Sequence, residues 1–148
     1  MGLDLGGRRI GVAVSDGAGM LATPRTTLAR SGDRGRDHRA LAEVVAEVGA
    51  RRVVVGLPLS LDGTRGPAAV AVATEAEALG ATLGLPVELV DERLSTIEAQ
   101  RSLRGAGVAP GRRRHVVDAA AATVILQAWL DRRRGRGPQP PPTEEPRP

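Results

Sequence analysis

The 148-residue chain is expected to form one α/β domain. Its sheet should be mixed and five-stranded, with the first three strands antiparallel and helices on its flanks. Three observations predict this. Residues 2–15 form two short apolar-alternating runs around Gly6-Gly7, which is hairpin chemistry. Val53-Val54-Val55 is an unbroken β-branched run, as in a parallel strand buried on both faces. Downstream of it, helical and strand patterns alternate, as βαβ units require.

Taken in order, the first strand is Gly2-Leu3-Asp4-Leu5, and the second runs from Arg9 to Asp16. A third strand spans residues 20–28, at an edge, because Pro24 would remove a ladder donor from a central position. Residues 31–36 are a Gly/Arg loop. Asp37 is placed to cap a helix carrying Leu41, Val44, Val45 and Val48, which stops at Gly49. Residues 51–57 are the buried strand, and 58–66 are a loop turning at Asp62-Gly63. Pro67 suits the first position of a second helix ending at Gly84. Residues 86–90 form the fifth strand. Ser95-Thr96-Ile97-Glu98 has capping-box spacing and opens a third helix to Arg104. A loop over 105–111 leads into a final helix over 112–133. The domain is expected to cover 1–132, and the Arg/Pro-rich tail 133–148 to be disordered.

Composition removes several chemistries. There is no lysine, hence no Schiff base, and no cysteine, hence no disulfide, thiolate nucleophile or Cys-ligated zinc. Trp129 is the only aromatic residue, which leaves little for base stacking. No apolar run is long enough to span a membrane and no signal-peptide pattern is present, so a cytoplasmic location is expected. The net charge is +4, most of it in the tail, and its sign suits an anionic partner.

Chemistry is suggested by the acidic residues. Asp4 is unusual inside a first strand, where a carboxylate needs a partner. It could close a turn on Gly6 and Gly7, or it could bind a cation. Asp91 and Glu92 follow the fifth strand, at the sheet edge where α/β ligand sites form. Asp118 precedes Ala122, Ile125 and Trp129 on one helical stripe, so it is expected to point toward the sheet; a cap or dipole partner is the plainer alternative. Converging carboxylates without His or Cys suit Mg²⁺ or Mn²⁺, and such ions can drive phosphodiester hydrolysis. Arg8, Arg9, Arg93, Arg112, Arg113 and Arg114 border the same region as candidate phosphate contacts. His115 shares the helix face of Asp118 and could touch a phosphate, although a helix-start histidine without a role is the plainer reading.

Four spaced motifs carry a resemblance: Gly2-Leu3-Asp4-Leu5-Gly6 with Arg9-Ile10-Gly11-Val12-Ala13-Val14-Ser15-Asp16, Val55-Gly56-Leu57-Pro58-Leu59 with Asp62-Gly63, Val90-Asp91-Glu92-Arg93-Leu94-Ser95-Thr96, and Val116-Val117-Asp118. Together they resemble the YqgF family, RuvC-like proteins described as Holliday-junction resolvases or as pre-16S rRNA nucleases. The resemblance implies an RNase H-like fold and a divalent-metal nuclease that matures the 5′ end of small-subunit ribosomal RNA in the cytoplasm. It places the acidic set on Asp4, Glu92 and Asp118, with Asp91 as the alternative should the register slip by one.

Two departures from the pattern stand out. Family members carry several residues before the Gly-Leu-Asp motif, whereas Met1 abuts it here, so a clipped first strand or an upstream start is expected. Relative to RuvC, the strand ending Gly56-Leu57-Pro58 lacks a carboxylate, implying a rearranged or smaller metal set. Three readings therefore stand: a ribosomal RNA nuclease, a branched-DNA resolvase, and a nucleic-acid-binding assembly or transcription factor with little catalysis. A sugar-kinase or actin-like ATPase would need two such domains, more than this chain supplies. Oligomeric state is open at this point.

Overall fold

The computed structural model describes residues 1–93 and 110–135, with the side chains of 110–118 outside that description. The expected helix over 95–104, its capping box, the loop over 105–109 and the tail beyond Gly135 lie outside the described residues. The described elements are β1 (Gly2–Leu5), β2 (Arg9–Ser15), β3 (Ala22–Ala29), α1 (Arg34–Val48), β4 (Val53–Leu57), α2 (Pro67–Leu83), β5 (Val87–Asp91) and α3 (Pro110–Gly135). They build a five-stranded sheet in the order β3-β2-β1-β4-β5. The β1–β2 and β2–β3 pairs are antiparallel, and β1–β4 and β4–β5 are parallel, which is the mixed sheet the sequence predicts.

Strand alternation sorts the side chains onto two faces. Leu3, Leu5, Val12, Val53 and Val55 pack with Leu41 and Val44 of α1 and with Ala76 and Leu79 of α2. Ala13, Val54 and Val90 pack instead with Ala122, Ile125, Leu126 and Leu130 of α3. Each fully buried Ile or Leu in such a seam contributes roughly 2–3 kcal/mol. That seam anchors α3, whose last turn carries Arg132, Arg133 and Arg134. The helix also approaches β1 closely: a Cβ on Gly2 would lie 2.7 Å from Leu126 Cβ and 2.9 Å from the Ala122 carbonyl.

The direction of α3 matters for the site. Trp129, near its C-terminal end, donates to Glu88 at the start of β5. Ile125, one turn earlier, lies over Gly56 near the end of β4. The helix therefore runs antiparallel to β4 and β5. Its N-terminal half, which includes position 118, extends toward the C-terminal ends of these strands.

Several boundaries differ from expectation. The β1–β2 connection takes three residues, 6–8, and none has a positive φ. Gly6 is required there by contact, because a Cβ would sit 2.7 Å from the Arg9 carbonyl. The cap of α1 is Asp33, which accepts from the Arg36 amide, and not Asp37. Asp37 lies a turn further on, buried, and accepts from both the amide and the hydroxyl of Ser31. Two Asp residues one turn apart offer two caps, and Ser31 claims the inner one. Strand β3 starts at Ala22 because Asp16 holds the preceding turn through the amides of Met20 and Leu21. Pro24 does sit in an edge strand, at the register shift between Val12 and Ala13. Helix α3 opens at Pro110, a residue tolerated at a first helical position, and continues to Gly135. Among the described residues no helix is long and apolar enough to cross a membrane.

Candidate active site

Strand parity decides which carboxylates face each other. Gly2 and Asp4 point to the α3 side of β1, and Val54 and Gly56 to the same side of β4. Along β5, Glu88 and Val90 lie on that side too, and Glu92 follows them by two residues. Its amide donates to the Leu57 carbonyl, extending the β4–β5 pairing just past the strand end. Asp4 and Glu92 thus meet on one face at the C-terminal edge, where the sequence places a site. Asp91 is of the opposite parity, beside Val87 and Leu89.

Gly56 makes the arrangement sterically possible. A Cβ at that position would lie 2.7 Å from Glu92 Oε2 and 2.4 Å from Ile125 Cδ1. The position that seemed to lack a carboxylate is the floor on which the Glu92 carboxylate rests. The sequence shows a glycine there but gives no sign of what approaches it.

The electrostatics of neighbouring acids diverge. Glu92 has its carboxyl pushed up to about 7, first by burial and then by the negative charges of Asp4 and Asp91. Asp91 is shifted the other way, held below the usual carboxylate range chiefly by hydrogen bonds from Arg93. Arg93 Nε lies 3.0 Å from both Asp91 oxygens, Nη2 lies 2.5 Å from Oδ2, and Nη1 donates to the Leu61 carbonyl. This pairing engages both residues. Asp91 is thus the partner of Arg93, and Arg93 also ties down the 58–66 loop through Leu61.

The remaining candidates fall in different places. Arg9 shares the face of Asp4 by β2 parity, since Gly11 lies opposite Asp4 in the ladder. Arg8 is exposed in the β1–β2 connection. The backbone of Asp118 lies in α3 one turn before Ala122, toward the strand ends where Asp4 and Glu92 meet. The side chains of Arg112, Arg113, Arg114, His115 and Asp118 lie outside the described residues. Among the described residues, no group of three or more His, Cys, Asp or Glu side chains is placed to hold a metal.

A second charged cluster went unnoticed in the sequence. Arg30, just past β3, donates from Nε to the Gly6 carbonyl and from Nη1 and Nη2 to the two oxygens of Glu75 in α2. The buried His38 ring lies 3.3 Å from Glu75, and Asp37 lies 3.8 Å from Arg30. Arg30 also donates its amide to the Arg8 carbonyl, so it grips the β1–β2 connection on both sides. One signal was available: Glu75 sits on the stripe of α2 that buries Ala69, Ala76 and Leu79.

Comparison with known proteins shows the family and the fold. The profile of the RuvX family, described as Holliday junction resolvase, matches residues 1–132. A relative from Myxococcus xanthus is 50% identical over 97% of this chain and 91% of its own. One from Leifsonia xyli subsp. xyli is 48% identical over 99% and 94%, and one from Anaeromyxobacter dehalogenans is 51% identical over 90% and 96%. All three carry the name "Putative pre-16S rRNA nuclease". Among solved structures, Thermus thermophilus RuvC matches with a TM-score of 0.55 at 20% identity, over 88% of this chain and 93% of that one. The same enzyme in complex with a Holliday junction gives 0.54 at 20% identity, over 88% and 92%. At that identity the likeness is one of fold.

Proposed function

The chain belongs to the RuvX family, and from that premise we propose that it hydrolyses phosphodiester bonds in the 5′-end processing of precursor 16S ribosomal RNA in the cytoplasm. The observation that carries this reading is the pair Asp4 and Glu92 on one sheet face, with the Glu92 carboxyl raised to about 7. Two neighbouring carboxylates, one raised by burial and by the other's charge, suit a cation between them. Oxygen donors alone fit a hard divalent ion, Mg²⁺ or Mn²⁺. Asp4 and Glu92 would hold it, and Asp118 completes the proposed set from the N-terminal half of α3. Bound there, such an ion supplies a Lewis acid and counter-charge for a phosphodiester. Gly56 keeps Glu92 in place against its floor, and Arg9 on the same face orients the nucleic-acid backbone. With Trp129 as the single aromatic residue, recognition rests on backbone and shape, and so weakens with salt.

A branched DNA substrate is the second reading, favoured by the description of the family profile. One experiment separates the two. Wild type, Asp4→Asn and Glu92→Gln are incubated with a precursor 16S 5′-leader RNA and with a four-way DNA junction, in Mg²⁺ or Mn²⁺. The expected result is RNA cleavage by wild type and a loss on the order of 10³-fold in both variants. Junction cleavage without RNA cleavage moves the substrate to DNA. A folded wild type that binds nucleic acid and cuts neither substrate overturns the nuclease reading in favour of an assembly factor.

A further inference from the structure

A cavity of about 530 Å³ is lined by the carboxylate residues Asp4, Glu75 and Glu92 together with two arginines, Arg30 and Arg34. Gly6, Gly7 and Pro58 also line it, as do Ala68, Ala71 and Val72 of α2. The volume lies within the range of small-ligand sites and is large enough for a nucleotide. The two arginines are not equivalent. Arg30 spends its donors on Gly6 and Glu75 and has a side chain only 18% exposed. Arg34, the first residue of α1, is 48% exposed. Among the described residues its contacts are a 3.3 Å bond to the Thr74 carbonyl and a 3.9 Å approach to Glu75. Its guanidinium is thus held against α2 in the cavity lining while its charge remains in reach of solvent.

We propose that this cavity seats a nucleotide flanking the scissile phosphodiester and that Arg34 binds that nucleotide's phosphate. The inference rests on the nucleic-acid reading above and deepens it by naming a subsite. The chemistry is complementary: a planar guanidinium forks onto phosphate oxygens, and a cavity lined by carboxylates needs fixed cations in the same lining to admit a polyanion. Arg30 acts on the same subsite through the chain, by holding the carbonyl of Gly6, which lines it. It is a positioning residue, whereas Arg34 touches substrate.

The test is binding of a fluorescently labelled single-stranded RNA in EDTA at several salt concentrations, by anisotropy, with Mg²⁺-dependent cleavage of the same RNA measured in parallel. Arg34→Gln should bind about 5- to 10-fold more weakly, since one charge-assisted contact is lost. The slope of log affinity against log salt should shrink by roughly 0.7, the share of one phosphate on a single strand. Arg34→Lys should keep the slope and lose part of the affinity. Cleavage by Arg34→Gln should fall through KM with kcat retained. A structural role for Arg34 would leave the slope unchanged. Arg34→Gln with wild-type affinity and slope overturns this proposal alone. Wild type that binds with the expected slope change but does not cut overturns the nuclease reading and leaves the subsite standing. Wild type that does not bind RNA overturns both.

Discussion

Glu75 and Glu92 are both acidic, both withdrawn from water, and held in opposite ways. Glu75 meets a bidentate Arg30 at 2.6 and 2.7 Å, and this bonding holds its carboxyl below the usual range. Glu92 is surrounded by Asp4 and Asp91, and its carboxyl rises to about 7. The first is a charge the fold has neutralised with its own residues. The second sits beside like charges, and burial together with their repulsion raises its carboxyl. Burial alone does not make this distinction, because Glu75 is the more buried of the two.

The comparison breaks most visibly at Glu75. Replacing it with Gln removes the bidentate counter-charge of Arg30, which keeps its Gly6 bond and the longer 3.8 Å contact to Asp37. Breaking such a buried pair typically costs about 3 kcal/mol or more, so Glu75→Gln should lower the urea midpoint well below that of wild type. The pH direction is fixed by the sign of the shift. A depressed carboxyl stabilises the fold above its unfolded value, and that stability is lost as pH falls through the folded one. The destabilisation by Glu75→Gln should therefore shrink toward acid pH. A variant as stable as wild type at pH 7 would show that the cluster is ornamental.

Glu92 predicts the opposite slope. Its raised carboxyl keeps a proton that the unfolded chain has already released, so its stability contribution is present below about 4.5 and lost as pH rises to about 7. The metal-free protein should lose roughly 2 kcal/mol across that window, after allowance for screening of a half-buried group. Glu92→Gln should flatten the profile, and so should a saturating divalent ion that neutralises the site. Thermal denaturation in EDTA between pH 4.5 and 8 reads all three. A wild-type profile that is already flat would mean that burial and Asp4 do not raise this carboxyl.

The sequence made much of this visible and missed specific parts for physical reasons. The Val53-Val54-Val55 run, Pro67 and Gly84 fall where expected because periodicity and helix-end chemistry are local. Asp4 and Glu92 were conspicuous as acids at strand ends, and strand parity sets Glu92, not Asp91, on the face of Asp4. The pairing of Arg93 with Asp91 was not foreseen, because sequence alone does not decide whether Arg93 faces the chain or a ligand. Arg30 and Arg34 were invisible as members of one cavity. Their neighbours in space, Gly6 and Glu75, lie 24 and more residues away along the chain.

Gly56 sharpens the comparison with the smallest change, one methyl group. Glycine inside a buried strand normally weakens it, and here the other four residues of β4 are apolar and buried. The absence of a side chain is explained by what occupies the space, Glu92 Oε2 on one side and Ile125 Cδ1 on the other. In Gly56→Ala, Ile125 can rotate only within a packed seam, whereas the Glu92 carboxylate lies at the strand edge and is the easier group to displace. Overpacking should cost roughly 1–2 kcal/mol. The cost to activity should be larger than that destabilisation implies, because Glu92 would be moved away from Asp4. Measured at a temperature where the variant is fully folded, cleavage should fall at least about tenfold, and apparent Mn²⁺ affinity should fall with it. If the variant is destabilised but cuts at the wild-type rate, Ile125 has yielded and the glycine serves only the packing of α3. If activity falls while Ile125→Val restores it in the double variant, relief of the steric conflict has let Glu92 return, and the position belongs to the site.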